Sequence, residues 1–584
     1  MGFFPIIFTS ILMFLFLTVS LFILKIFTGK SIRDPNYPPV KGTVFHMFLY
    51  FNSVYNYQTV VAKTHSTFQL LVLDRSEVYT ADTRNIEHVL KTNFASYSKG
   101  AFTQSILSDI FGQGIFVVDG EKWKQQRKLA SFEFSTRVLR DASCSVFIRS
   151  VAKLVRVVFG ISSSGGVCNM RPKRFVELFF SCLDLLMRCT LDSIFKVGFG
   201  IELHCLEGSS KEGTAFMKAF DESTALTYFR YIDPFWKLKR IFNLVIRVRK
   251  TYSKGIVLHT SFFPSYAPQF ISDLRIVEIK RELKGKINKG VQKEKQGIEK
   301  EDILSRFVLE NVKNPEEMND KHMRDIILTF MFAGKDTSAT TLSWLFYMLS
   351  KNPLIQEKVV QVRDVVGNQV GEAKVDEFVE NITEETLERM HYLHAALTDL
   401  KDLPCSSNNA DDILPDGFRV RKGDNVNYIT YAMGRMPYIW GKDADDFQPE
   451  RWLENGIFKP ESPFKLVAFR AGPQICLGKD FAYRQMKIVA MALLSFFRFK
   501  LADETKMVTY RTMFTLQIYR WQSPYDCRSQ NNLSNFFYAL KNNVQGLSTM
   551  QKFVPMWFRL EFLGSLNPTF PGFDVTVECR LSTT

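Results

Sequence analysis

Apolar residues recur along this chain mostly with the period of helices. Met323 to Leu349 is apolar nearly all round, which predicts a buried helix rather than a surface one. Met486 to Phe497 is a second long apolar-periodic run. Helical patterns also cover residues near 84 to 92 and 103 to 111, Gly120 to Leu129, and Asp184 to Leu191 running on to Gly200. Strand-like stretches are fewer, Phe68 to Val78 and Val508 to Ile518. The pattern predicts a mainly α fold with a small β region. It is unclear over 161–182, where Ser162-Ser163-Ser164-Gly165-Gly166 reads as loop, and over Lys254 to Asp273, where Pro264 breaks what should be helix. Lys280 to Lys300 is strongly basic and reads as a solvated helical face and loop. From about Tyr519 no period is visible.

Phe3 to Leu24 carries no charge over 22 residues. At about 1.5 Å per residue it reaches roughly 33 Å, enough for a bilayer core. A cleaved leader fits less well, because no Lys or Arg precedes the run and no small-x-small site follows it. Met1-Gly2 is no acylation signal, since Ile6 stands where Ser or Thr is wanted. Lys25, Lys30 and Arg33 follow the span and place the rest of the chain in the cytosol. Residues 25–42 end in Asp34-Pro35-Asn36-Tyr37-Pro38-Pro39, a stiff hinge. The organisation expected is an anchor at 1–24, the hinge at 25–42, one large body at 43–518 and an atypical tail at 519–584.

Composition sharpens this in two respects. A hydrophobic content of 46% with 54 phenylalanines in 584 residues is ample for one large core. The net charge of +15 raises the question of nucleic acid, but no zinc spacing or basic reading helix accompanies it. Membrane headgroups and an acidic protein partner account for the charge instead. Nine cysteines without paired spacing argue for a reducing compartment.

Three constellations could carry chemistry. Phe469-Arg470-Ala471-Gly472-Pro473-Gln474-Ile475-Cys476-Leu477-Gly478 brackets one cysteine with glycines and a proline ahead of a helix. That reads as a tight loop presenting a sulfur where helix N-terminal amides stabilise a thiolate. Trp123 and Arg127, four apart, share a helix face with two donor groups. Asp336 and Thr337 put an acid beside a hydroxyl in the middle of the buried helix, next to Gly334.

Phe-x-x-Gly-x-x-x-Cys-x-Gly resembles the haem-thiolate loop of the cytochrome P450 family. Ala333-Gly334-Lys335-Asp336-Thr337-Ser338 is similar to its oxygen-activating helix, Trp123-x-x-x-Arg127 to its haem-propionate helix, and Phe447-x-Pro449-Glu450-Arg451-Trp452 to the segment before the cysteine loop. These motifs come in family order over about residues 35 to 518. Asp411-Asp412-Ile413-Leu414-Pro415-Asp416-Gly417 and Tyr431-Ala432-Met433-Gly434-Arg435-Met436 resemble the plant fatty-acid ω-hydroxylase branch.

The resemblance implies a haem monooxygenase fed by NADPH-cytochrome P450 reductase, anchored in the endoplasmic reticulum membrane and hydroxylating a fatty acid at its terminal carbon. Cys476 would ligate the iron, and Asp336 and Thr337 would relay protons. Trp123, Arg127, Phe469 and Gly472 would bind the cofactor. Two departures stand against this. No Glu-x-x-Arg pair follows Thr398, where the chain reads Asp399-Leu400-Lys401-Asp402, so Arg451 is expected to lack its buried partner. Gln474 replaces a propionate-binding arginine, with Arg470 a conceivable substitute. The alternative reading is an inactive or haem-free remnant of the same fold, anchored in the membrane.

Overall fold

The long apolar run becomes the central helix Asp320–Lys351 of the computed structural model. The structure describes residues 3–27, 34–72, 76–134, 137–163, 172–208, 211–233, 236–237, 307, 320–360, 375–400, 406–408, 411–501 and 509–519. Met1–Tyr519 forms one compact unit. The 254–273 block, the basic 280–300 stretch and the tail from 520 lie outside the described residues, as does 28–33 of the hinge.

Nine helices matter for the site: α1 (Phe3–Phe27), α2 (Gly100–Phe111), α3 (Gly120–Phe134), α4 (Arg137–Ser163), α5 (Pro172–Phe199), α6 (Lys211–Phe229), α7 (Asp320–Lys351), α8 (His391–Thr398) and α9 (Lys479–Phe496). The main core lies where α7 packs along α5, and α4 packs on both α5 and α9. Apolar positions around most of α7 and α9 are buried, as expected for helices enclosed on several sides. Gly334 lies in the α7–α5 contact: a Cβ there would come 2.7 Å from Ile194 Cδ1. Close helix packing, rather than room for a ligand, accounts for this glycine.

The strand-like stretch Phe68 to Val78 falls in two strands, β2 (Thr67–Leu71) antiparallel to β3 (Ser76–Thr80), with Phe68 opposite Tyr79. One expectation is corrected here. Residues before Asp184, which show no clean period, continue α5 back to Pro172. Proline tolerates a first helical turn, where its missing N–H would have no partner.

The small β region is a six-stranded mixed sheet. Its strands are β1 (Val40–Thr43), β2, β3, β4 (Tyr97–Ser98), β5 (Ser406–Asn408) and β6 (Asn425–Tyr428), in spatial order β1-β2-β3-β6-β5-β4. A separate hairpin pairs β7 (Thr509–Thr512) with β8 (Leu516–Tyr519). Helix α1 exposes Phe14 (69%) and Phe16 (74%) among its described side chains. Among the described residues no helix is long and apolar enough to cross a membrane.

Candidate active site

The cysteine loop is built from backbone geometry. The Phe469 carbonyl accepts the Cys476 N–H at 2.8 Å, closing the loop, and Gly472–Gln474 forms one 3-10 turn inside it. Gly472 has φ +60°, and a Cβ there would lie 2.0 Å from the Leu90 carbonyl oxygen. Its role is thus to let the loop lie against the chain at Leu90. Arg470 takes the left-handed φ of 55°, unusual for a side-chain-bearing residue. Its Nη1 donates to Gln474 Oε1 at 2.5 Å. The arginine and the glutamine that departs from the family pattern are therefore joined to each other.

Cys476 follows, ahead of α9. Its side chain is exposed to solvent, yet surrounding protein desolvates the sulfur and pushes the thiol above its ordinary pKa. The Gly478 backbone N–H, Arg127, Arg470 and Lys479 oppose that shift. The sulfur is thus crowded by protein yet accessible, with one backbone donor and three cationic side chains acting on it. Such surroundings suit a thiolate whose proton has been displaced by a metal. Phe469 packs against Tyr483 of α9 with ring centroids 5.1 Å apart and planes tilted by 35°, which holds the loop against that helix.

Helix α3 meets this loop from the other side of the sequence. Arg127 Nη2 donates to the Ile475 carbonyl at 2.6 Å, and its guanidinium lies 5.5 Å from the Trp123 ring centroid. The shared face expected from the four-residue spacing is present. Burial lowers the Arg127 pKa, while Cys476 raises it and Arg470 adds a lowering of its own. Trp123 also faces Lys99, whose ammonium is 5.8 Å from the ring and pairs with Asp119. Arg127, Arg470 and Trp123 are donors a haem's carboxylates could use, so the residues present fit that group.

On α7 a stripe of accessible positions interrupts the burial, through Phe330, Ala333, Thr337, Thr341 and Trp344. Thr337 is the exposed one, its hydroxyl donating to the Ala333 carbonyl at 2.6 Å. Thr341, not singled out by sequence, repeats this one turn on by donating to the Thr337 carbonyl at 2.9 Å. Asp336 lies elsewhere on the helix. It is buried, and its carboxylate accepts from Lys335 Nζ at 2.6 Å rather than from Thr337.

The expectation that Arg451 lacks its partner is overturned. Asp399, which ends α8, approaches Arg451 Nε at 3.2 Å. The angle makes this an ion pair rather than an aligned hydrogen bond, and Nε stays without a hydrogen-bond partner. The same carboxylate accepts from Trp452 Nε1 at 2.9 Å and from the Gln448 backbone N–H at 2.7 Å. Arg451 Nη2 donates to the Asp443 carbonyl at 2.8 Å. A shorter acid thus reaches the arginine because α8 and the Pro449–Trp452 turn pack directly together.

The structure therefore joins Cys476, Phe469, Gly472 and Arg127 in one assembly, keeps Trp123 beside Arg127, sets Thr337 on an accessible stripe and turns Asp336 toward Lys335. The family model for cytochrome P450 matches residues 35–525. Cytochrome P450 704C1 of Pinus taeda is 41% identical over 502 residues, covering 82% of this chain and 90% of that one. Cytochrome P450 704B1 of Arabidopsis thaliana is 37% identical, with 80% and 87% covered. Cytochrome P450 94A1 of Vicia sativa is 32% identical, with 76% and 79% covered.

Proposed function

The chain belongs to the cytochrome P450 family, and from that premise we propose that it hydroxylates a long-chain fatty acid at its terminal carbon. The oxygen atom comes from O2 and the electrons from NADPH through cytochrome P450 reductase. Members of this family are haem-thiolate monooxygenases, so the protein is an oxidoreductase and its cofactor is thiolate-ligated haem. Bound through a cysteine, haem supplies activation of O2.

The observation that carries the site assignment is Cys476, an accessible sulfur in a crowded cationic loop clasped by the Arg127–Ile475 hydrogen bond. Cys476 is the iron ligand in this reading, Arg127 and Trp123 hold the propionates, and Arg470 stands in for the arginine that Gln474 replaces. Phe469 and Gly472 shape the loop. Thr337 offers its hydroxyl at the accessible stripe, and Asp336 passes protons toward it. The 1–24 segment is the endoplasmic reticulum anchor, 25–42 the hinge, 43–518 the catalytic body in the cytosol and 519–584 an appended tail.

A reduced, carbon-monoxide-treated sample is expected to give the red-shifted band of thiolate-ligated haem, and Cys476→Ala to abolish it. Retention of that band in the variant refutes the ligand. The substrate rests on likeness to the plant fatty-acid branch, with which the many phenylalanines of the chain are compatible. Incubation with reductase and fatty acids of graded length tests it. Turnover of another lipid class with no terminal or near-terminal hydroxylation rules it out. Gln474 favours a second reading, a haem-free remnant of the fold. Stoichiometric haem in the purified protein excludes that reading.

A further inference from the structure

Helix α7 carries a fully enclosed cation. Lys335 Nζ lies 2.6 Å from Asp336 Oδ1 and 2.5 Å from Asp221 Oδ1 of α6, with the three side chains 1%, 3% and 36% exposed in the order Lys335, Asp336, Asp221. The Phe220 ring sits 6.0 Å from the ammonium, and Thr190 of α5 donates to the Lys335 carbonyl at 3.0 Å. One ammonium between two carboxylates leaves a net charge of −1 in a desolvated place. A further proton relieves that charge, and the acid that can receive it from water is Asp221, the most open of the three. Three groups in hydrogen-bond contact therefore lead from solvent to a position adjacent to Thr337.

We propose that Asp221, Lys335 and Asp336 form a proton wire that supplies the Thr337 side of α7 from solvent. Lys335 gives one of its protons to Asp336, and the amine lone pair so freed then takes the proton of protonated Asp221. Asp221 ends ionised, Lys335 remains an ammonium and Asp336 ends as the neutral acid. Water then reprotonates Asp221. Rotation of the Asp336 side chain turns the proton toward Thr337, with which it shares no hydrogen bond in the resting arrangement.

Burial supports the scheme by raising the Asp221 pKa to about 6. The charged groups acting on Asp221 are Lys335 and Asp336 of α7 and Asp184 of α5, the lysine lowering its pKa and the two aspartates raising it. Burial lowers the Lys335 pKa, but the two carboxylates outweigh it and keep the ammonium charged. The wire rests on the reading that Asp336 and Thr337 deliver protons.

The test uses full-length, haem-loaded protein with reductase and a fatty acid. Asp221→Asn keeps an acceptor for Lys335 but cannot carry a proton. Product formation is expected to fall about 10²-fold, the low end of what positioned proton transfer contributes. The solvent deuterium isotope effect should rise, and more hydrogen peroxide should be released per NADPH consumed. Asp221→Glu should restore all three. Independently of turnover, infrared difference spectra should contain a carboxylic-acid band titrating near the Asp221 pKa that Asp221→Asn removes. If Asp336→Asn uncouples the enzyme but Asp221→Asn behaves as wild type, the wire is wrong while the role of Asp336 stands. If Asp336→Asn has no effect, the underlying reading fails and the wire with it.

Discussion

Single residues decide whether the departures from the family pattern matter. Asp399 replaces a longer acid, and it pairs with the Arg451 charge while accepting hydrogen bonds from Trp452 and Gln448. Removing one partner of a buried ion pair costs about 3–5 kcal/mol, because the other charge stays desolvated. Asp399→Ala is therefore expected to lower unfolding free energy by about 3 kcal/mol in denaturant titration. Asp399→Glu, which forces one more methylene into a filled site, should lower Tm rather than raise it. His394 offers a pH test. It lies between Tyr483 and Phe458, each 4.1 Å away by centroid. Burial, then Lys487, Lys479 and His391, depress its pKa to about 3. Between there and the ordinary value of about 6.5, the unfolded chain binds the proton that the native one refuses. The stability from neutral His394 is thus complete above about pH 6.5 and lost on acidification, by at most about 1.4 kcal/mol per pH unit. His394→Phe should show a smaller fall in Tm between pH 7 and 5 than wild type; an equal fall removes His394 as the source.

Elements decide how the site is held. Gly334 marks where α7 closes on α5, and a side chain there meets Ile194. Gly334→Ala gains about 1 kcal/mol of helix propensity, set against about 1–3 kcal/mol of overpacking. Net destabilisation is expected, and Ile194→Ala in the same chain should relieve it, giving a coupling of about 0.5–3 kcal/mol in a double-mutant cycle. Strict additivity would mean that Gly334 is required for some other reason. Gly472 acts between two loops, since the Leu90 carbonyl leaves no room for a Cβ. Gly472→Ala should weaken haem retention on dilution more than it lowers Tm, because the fault is confined to the loop that carries Cys476.

At the scale of the whole molecule, the arrangement is a catalytic body behind an apolar leading helix. From Thr9 to Leu21 nearly all the side chains of α1 are exposed, many of them apolar, an arrangement that water does not favour. Deleting residues 1–33 is expected to move the protein from the membrane pellet to the supernatant while leaving the carbon-monoxide spectrum unchanged. Retention in the pellet would place the membrane contact elsewhere on the body.

The sequence by itself determined the helical class, the central helix, the cysteine loop and the pairing of Trp123 with Arg127. Each of these is written in local spacing: apolar period, glycines around one sulfur, two donors one turn apart. It did not determine which residue answers Arg451. That choice depends on how closely α8 approaches the Pro449–Trp452 turn, a distance no local pattern carries. Nor did it reveal Asp221. The acid stands 114 positions from Lys335 and meets it only through the tertiary fold. The adjacency of Asp336 and Thr337 was legible, but their division was not. On one helix, neighbouring residues point about 100° apart, so packing gave Thr337 to the accessible stripe and Asp336 to a buried ion pair.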